Sequence, residues 1–164
     1  MKTQRQHAVA RRREQILDAP RQDAYRATEK TRGPAHCREC GAVYARGRWA
    51  WAAAQPDSRA TLCPACRRAR DGMPAGYVSL SGAFLRGHRE EVLRRVRRCE
   101  EAERRARPLQ RILEVRERGG AVVVTTTDSH LARRIGEALG KSFKGAVRYR
   151  YAPGDNRLRV EWSR

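Results

Sequence analysis

Aromatic residues, lysine and long apolar runs are all scarce in this chain of 164 residues. With two Phe, three Trp and five Tyr, we expect a thin hydrophobic core that needs a further source of stability, and a bound metal is the first candidate. No apolar run reaches the roughly 18 residues of a membrane-spanning helix, and the first residues lack the apolar core of a signal peptide. We therefore expect a cytoplasmic protein that has no membrane partner.

Acidic residues are outnumbered, because 18 Asp and Glu face 37 Lys and Arg, which gives a formal net charge of +19. Only four of the basic residues are lysines. The others are arginines, which contact phosphate and guanine through planar, bidentate hydrogen bonds, although a GC-rich genome produces the same bias. Positive charge is in excess in each of the segments 1–36, 37–80, 81–108 and 109–164. This distribution predicts a polyanionic partner, most simply a nucleic acid.

Cysteine is also rare, but four of the five cysteines form two C-x-x-C pairs: Cys37, Cys40, Cys63 and Cys66. Two such pairs can each bend around one ion and complete a tetrahedral site of four thiolates. A disulfide is disfavoured in a reducing compartment, and a redox protein of the thioredoxin type needs only one pair. The spacing therefore predicts structural Zn²⁺. With sulfur at every position, no ligand site is left to activate water, so we expect no enzyme.

The sequence predicts an α+β protein that combines a four-cysteine zinc ribbon, a long amphipathic helix and a small ββαββ module. Its four segments are a basic, disordered N-terminal segment at 1–33, the zinc ribbon at 34–72, an amphipathic basic helix at 81–107 and the ββαββ module at 109–164. The length allows one ordinary domain or two small ones and excludes a large multidomain enzyme.

Turn and cap signals support this order of elements. Ser81 is expected to cap the long helix and Pro108 to stop it. Gly119 and Gly120 suit a tight hairpin turn between two strands. Asp128 or Ser129 is expected to begin the last helix and Gly140 to end it, before a second hairpin completes the module.

Arginines beside aromatic residues are the predicted nucleic-acid contacts. The candidates are Arg46, Arg48 and Trp49 in the ribbon, Arg67 and Arg68 after the second cysteine pair, and Arg94, Arg95, Arg97 and Arg98 on the outer face of the long helix. The alternative for Trp49 is that it only covers the zinc site.

Four stretches, "CRECGAVYARGRWAW", "LCPACRR", "PAGYVSLSGAFL" and "VVVTTTDSHLARRIGEAL", resemble a family of small bacterial zinc-ribbon proteins of uncharacterised activity. The order of a zinc segment ending in "LCPACRR", an apolar stretch, a long helix and a strand followed by "HLARRIGEAL" is similar, more faintly, to the nonsense-mediated decay protein 3 family, an export adaptor of the large ribosomal subunit. That resemblance implies Cys63 and Cys66 as zinc ligands and contact with RNA or the ribosome. The chain lacks that family's additional domains, so an export role is not implied.

The sequence thus predicts a zinc-stabilised, non-catalytic RNA-binding protein that associates with the ribosome, through ribosomal RNA and possible contacts with ribosomal proteins. Two alternatives remain open, namely a DNA-binding transcriptional regulator and a zinc-ribbon adaptor for protein interaction or stress. No small-molecule substrate is expected, because the chain contains neither a phosphate-binding P-loop motif nor a dinucleotide-binding glycine motif.

Overall fold

The computed structural model describes Tyr25, Thr31, residues 33–151, Gly154 and residues 157–164. The segment predicted to be disordered, 1–33, lies outside these residues except for Tyr25, Thr31 and Gly33. The described residues from 33 onwards form two sheets and three helices. The fold is therefore mixed α and β, as predicted.

The ribbon contains four short strands and one helix: β1 (Ala35–Cys37), β2 (Val43–Ala45), β3 (Arg48–Ala50), β4 (Arg59–Thr61) and α1 (Pro64–Asp71). The strand order is β3-β2-β1-β4, with antiparallel pairs except for parallel β1 and β4. Helix α1 was not predicted, although Pro64 occupies its first turn and Gly72 ends it in the left-handed conformation.

The α/β body follows, with five strands and two helices: β5 (Gly76–Ser81), α2 (Ala83–Ala106), β6 (Ile112–Arg118), β7 (Ala121–Thr126), α3 (Ser129–Phe143), β8 (Ala146–Tyr151) and β9 (Leu158–Ser163). The order in this body sheet is β6-β7-β5-β9-β8. Strands β5 and β9 are parallel and the other neighbours are antiparallel.

The predicted layout of a separate ββαββ module at 109–164 is wrong. The two hairpins, β6-β7 and β8-β9, do not pair with each other, because β5 lies between β7 and β9 and bonds to both. A hairpin satisfies only one edge of each of its strands, so the inner edges of β7 and β9 need a partner. Strand β5 supplies it, and α2 then packs on the same sheet as α3. The order of elements in the body is therefore βαββαββ.

The predicted helices are present, with different ends. Ser81 is the last residue of β5, and α2 begins after Gly82 without a side-chain cap. Asp128 caps α3 as expected, since its carboxylate accepts the Leu131 amide hydrogen over 2.8 Å. Helix α3 continues past Gly140 to Phe143. A Cβ on Gly140 would lie 3.0 Å from Val147, so this glycine permits close packing on β8 rather than a helix end.

The body has its own hydrophobic core, on the side of the sheet that the two helices cover. Alternate residues of the strands face it, and the buried face of each helix closes it. The fully buried members include Trp162, Leu80, Leu131, Ile135, Leu139, Leu158 and Val92. This core shares no buried residue with the cluster around the four paired cysteines. The scarcity of aromatic residues is thus offset by aliphatic packing.

In the part of the chain that the structure describes, none of the helices combines the length and the apolar character needed to cross a bilayer.

Candidate metal centre and basic surfaces

The four cysteines of the two C-x-x-C pairs meet in one cluster at the base of the ribbon. Cys37 ends β1 and Cys40 follows in the turn that leads to Gly41, whose φ of 76° is in the left-handed region that glycine adopts readily. Cys63 is the N-cap of α1 and Cys66 lies in its first turn. The end of β1 with the turn after it, and the capped start of α1, thus bring the two cysteine pairs together.

The geometry fits one ion. All four Sγ atoms lie within 4.8 Å of one another, and those of Cys40 and Cys63 are 3.7 Å apart. A tetrahedral ion with sulfur at ~2.3 Å places its ligands about 3.8 Å from each other. Three of the four thiols are buried, and Cys40 is half-buried. The predicted four-cysteine cluster is therefore confirmed as a site that can hold a metal ion.

Backbone amides point at the sulfur atoms. The Cys63 amide donates to Cys37 Sγ over 3.3 Å, and the Cys66 amide donates to Cys63 Sγ over 3.4 Å. For Cys37, burial is the largest single influence and raises the pKa, but hydrogen bonds from the amides of Cys63, Cys40 and Glu39 and from the Cys40 side chain lower the pKa to about 7. One thiol of the cluster is thus prepared to ionise near neutral pH.

The other buried thiols behave differently. Burial raises the pKa of Cys66 to about 11, although Arg111 opposes the shift. Burial also raises the pKa of Cys63 far above its ordinary value, and the nearby thiolates add to this effect. Several buried thiolates are therefore stable together only when a cation offsets their charge.

Arg111 was not predicted as part of the site. Its Nη2 donates to the Sγ of Cys66 over 3.1 Å and lies 3.8 Å from the Sγ of Cys63. Burial alone would lower the pKa of Arg111, but the hydrogen bond and the charges of Cys66 and Cys63 raise it. No local pattern marks this arginine, because it belongs to the body and reaches the cluster only through tertiary structure.

Two further contacts attach the ribbon to the body. The hydroxyl of Thr127 accepts the Arg111 amide hydrogen over 2.9 Å and donates to the Leu109 carbonyl over 2.5 Å. Leu109 packs against the cysteine cluster. On the other side, the indole of Trp51 donates to the Arg104 carbonyl over 2.7 Å. The ribbon is thus held against the last turn of α2 and the connection from α2 to β6.

Comparisons with protein-family models, curated proteins and solved structures found no match to this chain. The two family resemblances stay predictions, and the case for a function rests on the geometry of the sites.

The predicted nucleic-acid residues of the ribbon lie together. Arg46 and Arg48 are exposed at the turn between β2 and β3, and Trp49 is half-buried with its ring 5.5 Å from that of Tyr44. Trp49 also packs against the cysteine cluster. The two interpretations of this tryptophan are therefore compatible, because one edge of the ring can cover the cluster while the other lines the surface.

The predicted residues after the second cysteine pair have different environments. Arg67 is half-buried on α1. Arg68 is 7% exposed, its Nη1 donates to the Met73 carbonyl over 2.9 Å, and its guanidinium lies 4.3 Å from the centre of the Tyr25 ring. An arginine so enclosed has little surface left for contact with a phosphate.

The four predicted arginines of the long helix do not form one uniform surface. Arg94, Arg97 and Arg98 are exposed on α2, whereas Arg95 is half-buried and donates to Ser142 on α3 over 2.9 Å. Exposed Glu90, Glu91 and Glu101 lie among them. Because α2 covers one side of the body sheet, these arginines lie on the opposite side of the body from the uncovered face of that sheet.

The uncovered face of the body sheet is a further basic surface, which was not predicted. Cross-strand register gathers exposed arginines from three strands on it: Arg116 and Arg118 of β6, Arg148 and Arg150 of β8, and Arg159 of β9. Near its middle, Tyr77 of β5 pairs with Arg159, whose guanidinium lies 5.4 Å from the tyrosine ring centre. Among the described residues, two acids, Glu114 and Glu161, have register positions on this face. We call it the open sheet face.

Part of the open sheet face is concave. A cleft of about 680 Å³ lies over β5, β6 and β7, and Ala69, Gly72 and Pro74 at the end of α1 form its other wall. Among the described residues, the helices that pack on the body sheet, α2 and α3, both lie on its other side. The alternation of Arg148 and Arg150 with apolar residues in "AVRYRY" was a usable signal, but it does not show which strands share the surface.

Proposed function

We propose that this protein is a zinc-stabilised, non-catalytic RNA-binding protein that associates with ribosomal particles through its open sheet face. The observation that carries the proposal is the concentration of five exposed arginines around a half-buried tyrosine on one face of a five-stranded sheet. Sheet faces with aromatic and guanidinium groups suit RNA, since bases stack on the planar groups and phosphates pair with the charges.

Zinc is the proposed metal because of the donor set. Four thiolates in tetrahedral arrangement favour zinc over calcium, magnesium or manganese, which prefer oxygen. The role is structural, since four sulfur ligands complete the coordination. Cys37, Cys40, Cys63 and Cys66 would hold the ion, and the ribbon strands would keep their arrangement through it.

The charge pattern of the open sheet face favours RNA over a protein partner. Two salt bridges lie on it, between Arg116 and Glu114 and, over 4.0 Å, between Arg150 and Glu161. Even if both of these arginines are counted as neutralised, the face keeps an excess of three positive charges, on Arg118, Arg148 and Arg159. A polyanion releases counterions when it meets such a surface, and this gives affinity that falls with salt.

The test measures the affinity of the purified protein for structured ribosomal RNA over a range of salt concentrations. In the triple variant Arg148→Gln, Arg150→Gln and Arg159→Gln, we expect weaker binding and a slope of log affinity against log salt that is smaller by about 2, since each lost phosphate contact removes ~0.7. The matched control is Arg94→Gln, Arg97→Gln and Arg98→Gln, which removes the same charge from the helix side. Equal loss in both triples would contradict the assignment to the sheet.

Sedimentation of cell lysate tests the ribosomal part of the proposal. We expect the protein to migrate with ribosomal particles at low salt and to leave them at high salt. Migration at the top of the gradient in both conditions would contradict association with the ribosome. RNA binding in solution is tested separately, by the salt titration.

The two alternative functions give different results in the same assays. A DNA-binding regulator would prefer a defined DNA duplex over RNA at matched salt. An adaptor for protein interaction would keep its partner when the arginines of either face are replaced.

A further inference from the structure

A second cleft lies between the ribbon and the body, at the junction that the metal cluster stabilises. Its volume is about 310 Å³, at the lower end of the range for small-ligand sites. One wall comes from the β2-β3 hairpin, with Tyr44, Arg48 and Trp49. The other wall comes from the connection between α2 and β6, with Arg107 and Gln110. The cleft is distinct from the open sheet face, since the two share no lining residue.

Gln110 is the unusual residue of this cleft. It is 5% exposed, and its Oε1 is buried without a hydrogen-bond partner among the described residues. Its backbone amide is satisfied by the Arg107 carbonyl over 3.0 Å, so the main chain holds the residue in place. An unsatisfied buried carbonyl oxygen costs free energy, and a donor supplied by a ligand would recover that cost.

The other residues that line the cleft limit which ligand can supply a hydrogen-bond donor to Gln110. Tyr44 and Trp49 are both half-buried, with rings 5.5 Å apart and tilted by 55°. A flat, aromatic ligand can therefore lie against one ring within the cleft. Arg48 is exposed at the rim, and Arg107, which is paired with Glu103 over 2.7 Å, lies across from it. The lining also includes one acid, Asp128, whose carboxylate caps α3. The site thus combines an aromatic wall, a buried acceptor and two arginines at its rim.

We propose that this cleft binds one unpaired nucleobase of a bound RNA strand. The base lies against Trp49 or Tyr44, an N–H group on its edge donates to Gln110 Oε1, and the phosphate that follows it meets Arg48 at the rim. A base in a duplex offers neither its face nor its edge, so only a flipped or single-stranded nucleotide fits. This inference rests on the proposed RNA binding and adds to it a preference for an unpaired base at a defined place.

The test compares Gln110→Leu with the wild type on two probes, a short unstructured RNA oligonucleotide and an RNA duplex of the same sequence. We expect Gln110→Leu to weaken single-strand binding roughly tenfold, because the base N–H then lacks its acceptor, and to leave duplex binding unchanged. The matched control is Gln55→Leu, the same substitution at an exposed site in the loop between β3 and β4. Zinc content and thermal unfolding confirm that both variants are folded.

Crosslinking gives an independent readout on the unaltered chain. An oligonucleotide carrying 5-iodouridine is irradiated in the complex, and the modified residue is identified by mass spectrometry. An adduct on Trp49 or Tyr44 supports the cleft. If the wild type binds RNA but the adduct falls only on Tyr77, or if Gln110→Leu affects both probes equally, the cleft assignment is overturned and the sheet proposal stands. If the wild type binds neither probe, the proposed function itself fails.

Discussion

Arg111 donates a hydrogen bond from Nη2 to the Sγ of Cys66 over 3.1 Å, and so connects the α/β body to the cysteine cluster of the ribbon. A divalent ion with four thiolates carries two excess negative charges, and most of this cluster is buried. A half-buried guanidinium offsets part of that charge at short range, where the surrounding protein screens little. The contact therefore holds the ribbon in place, and it would stabilise the thiolates when they bind a metal ion.

Replacing this arginine should weaken metal binding. We expect Arg111→Met, which keeps the length of the side chain and removes the charge, to lower zinc affinity by about 10- to 100-fold, the usual effect of losing a group that bonds a ligand. Competition with a chromophoric chelator measures the affinity. Arg148→Met is the control, because Arg148 is exposed on β8, the edge of the body sheet opposite to β6. Equal affinity in all three proteins would show that the 3.1 Å contact does not support the ion.

Metal removal should unfold the ribbon and spare the body. The buried residues near the cysteines are few and small, mainly cysteine and alanine, while the body core contains the large aliphatic residues and Trp162. Without the ion, the ribbon has too little apolar burial to offset the entropy of ordering its strands. After chelation, hydrogen exchange should become fast for amides in residues 35–62 and stay slow in β5 and β7. Loss of protection in both sheets at once would contradict the independence of the two cores.

Alanine substitutions at two glycines are expected to change the free energy of unfolding in opposite directions. A Cβ on Gly136 of α3 would lie 2.6 Å from Val160 Cγ1 and 3.1 Å from the Tyr149 hydroxyl, so Gly136→Ala must push the helix off the sheet. We expect a loss of about 1–3 kcal/mol in the free energy of unfolding, the usual cost of overpacking. Gly87 of α2 directly precedes a kink at His88, whose φ of -129° and ψ of 25° are not helical. A Cβ on Gly87 would meet no atom within 4 Å, so Gly87→Ala should gain at most about 0.5–1 kcal/mol through helix propensity. Urea unfolding of the zinc-loaded protein measures both.

Local features of the fold were predictable because their causes are local. The left-handed φ of Gly41, the hairpin at Gly119 and Gly120 and the cap at Asp128 each depend on the residue itself and its nearest neighbours. The cysteine cluster was also predictable, since the tetrahedral chemistry of four thiolates demands that two C-x-x-C pairs meet. Periodicity located the long helix for the same reason, because its buried face repeats along one element.

Features that depend on distant pairing were not predictable in this way. Strand β5 alternates buried and half-buried residues from Gly76 to Ser81, which indicates a strand, but nothing local tells which strands it joins. Its position between β7 and β9 decides that the arginines of β6, β8 and β9 share a face and that those of α2 lie behind the sheet. The sequence alone therefore does not tell which of the predicted arginines share a face. The contact of Arg111 with Cys66 depends on the same tertiary arrangement.

The fifth cysteine offers a test of how far the two cores are independent. Cys99 lies on the buried face of α2 and is 7% exposed, and burial raises its pKa above the ordinary value. A raised pKa means a smaller thiolate fraction at any given pH, so Cys99 should react slowly with iodoacetamide at pH values where an exposed thiol reacts readily. After chelation we expect four modifications, at Cys37, Cys40, Cys63 and Cys66, with the fifth appearing only in denaturant. Mass spectrometry of the intact protein counts them. Alkylation of Cys99 together with the other four would mean that the body loses its packing when the metal leaves, because only an opened α2 exposes this thiol.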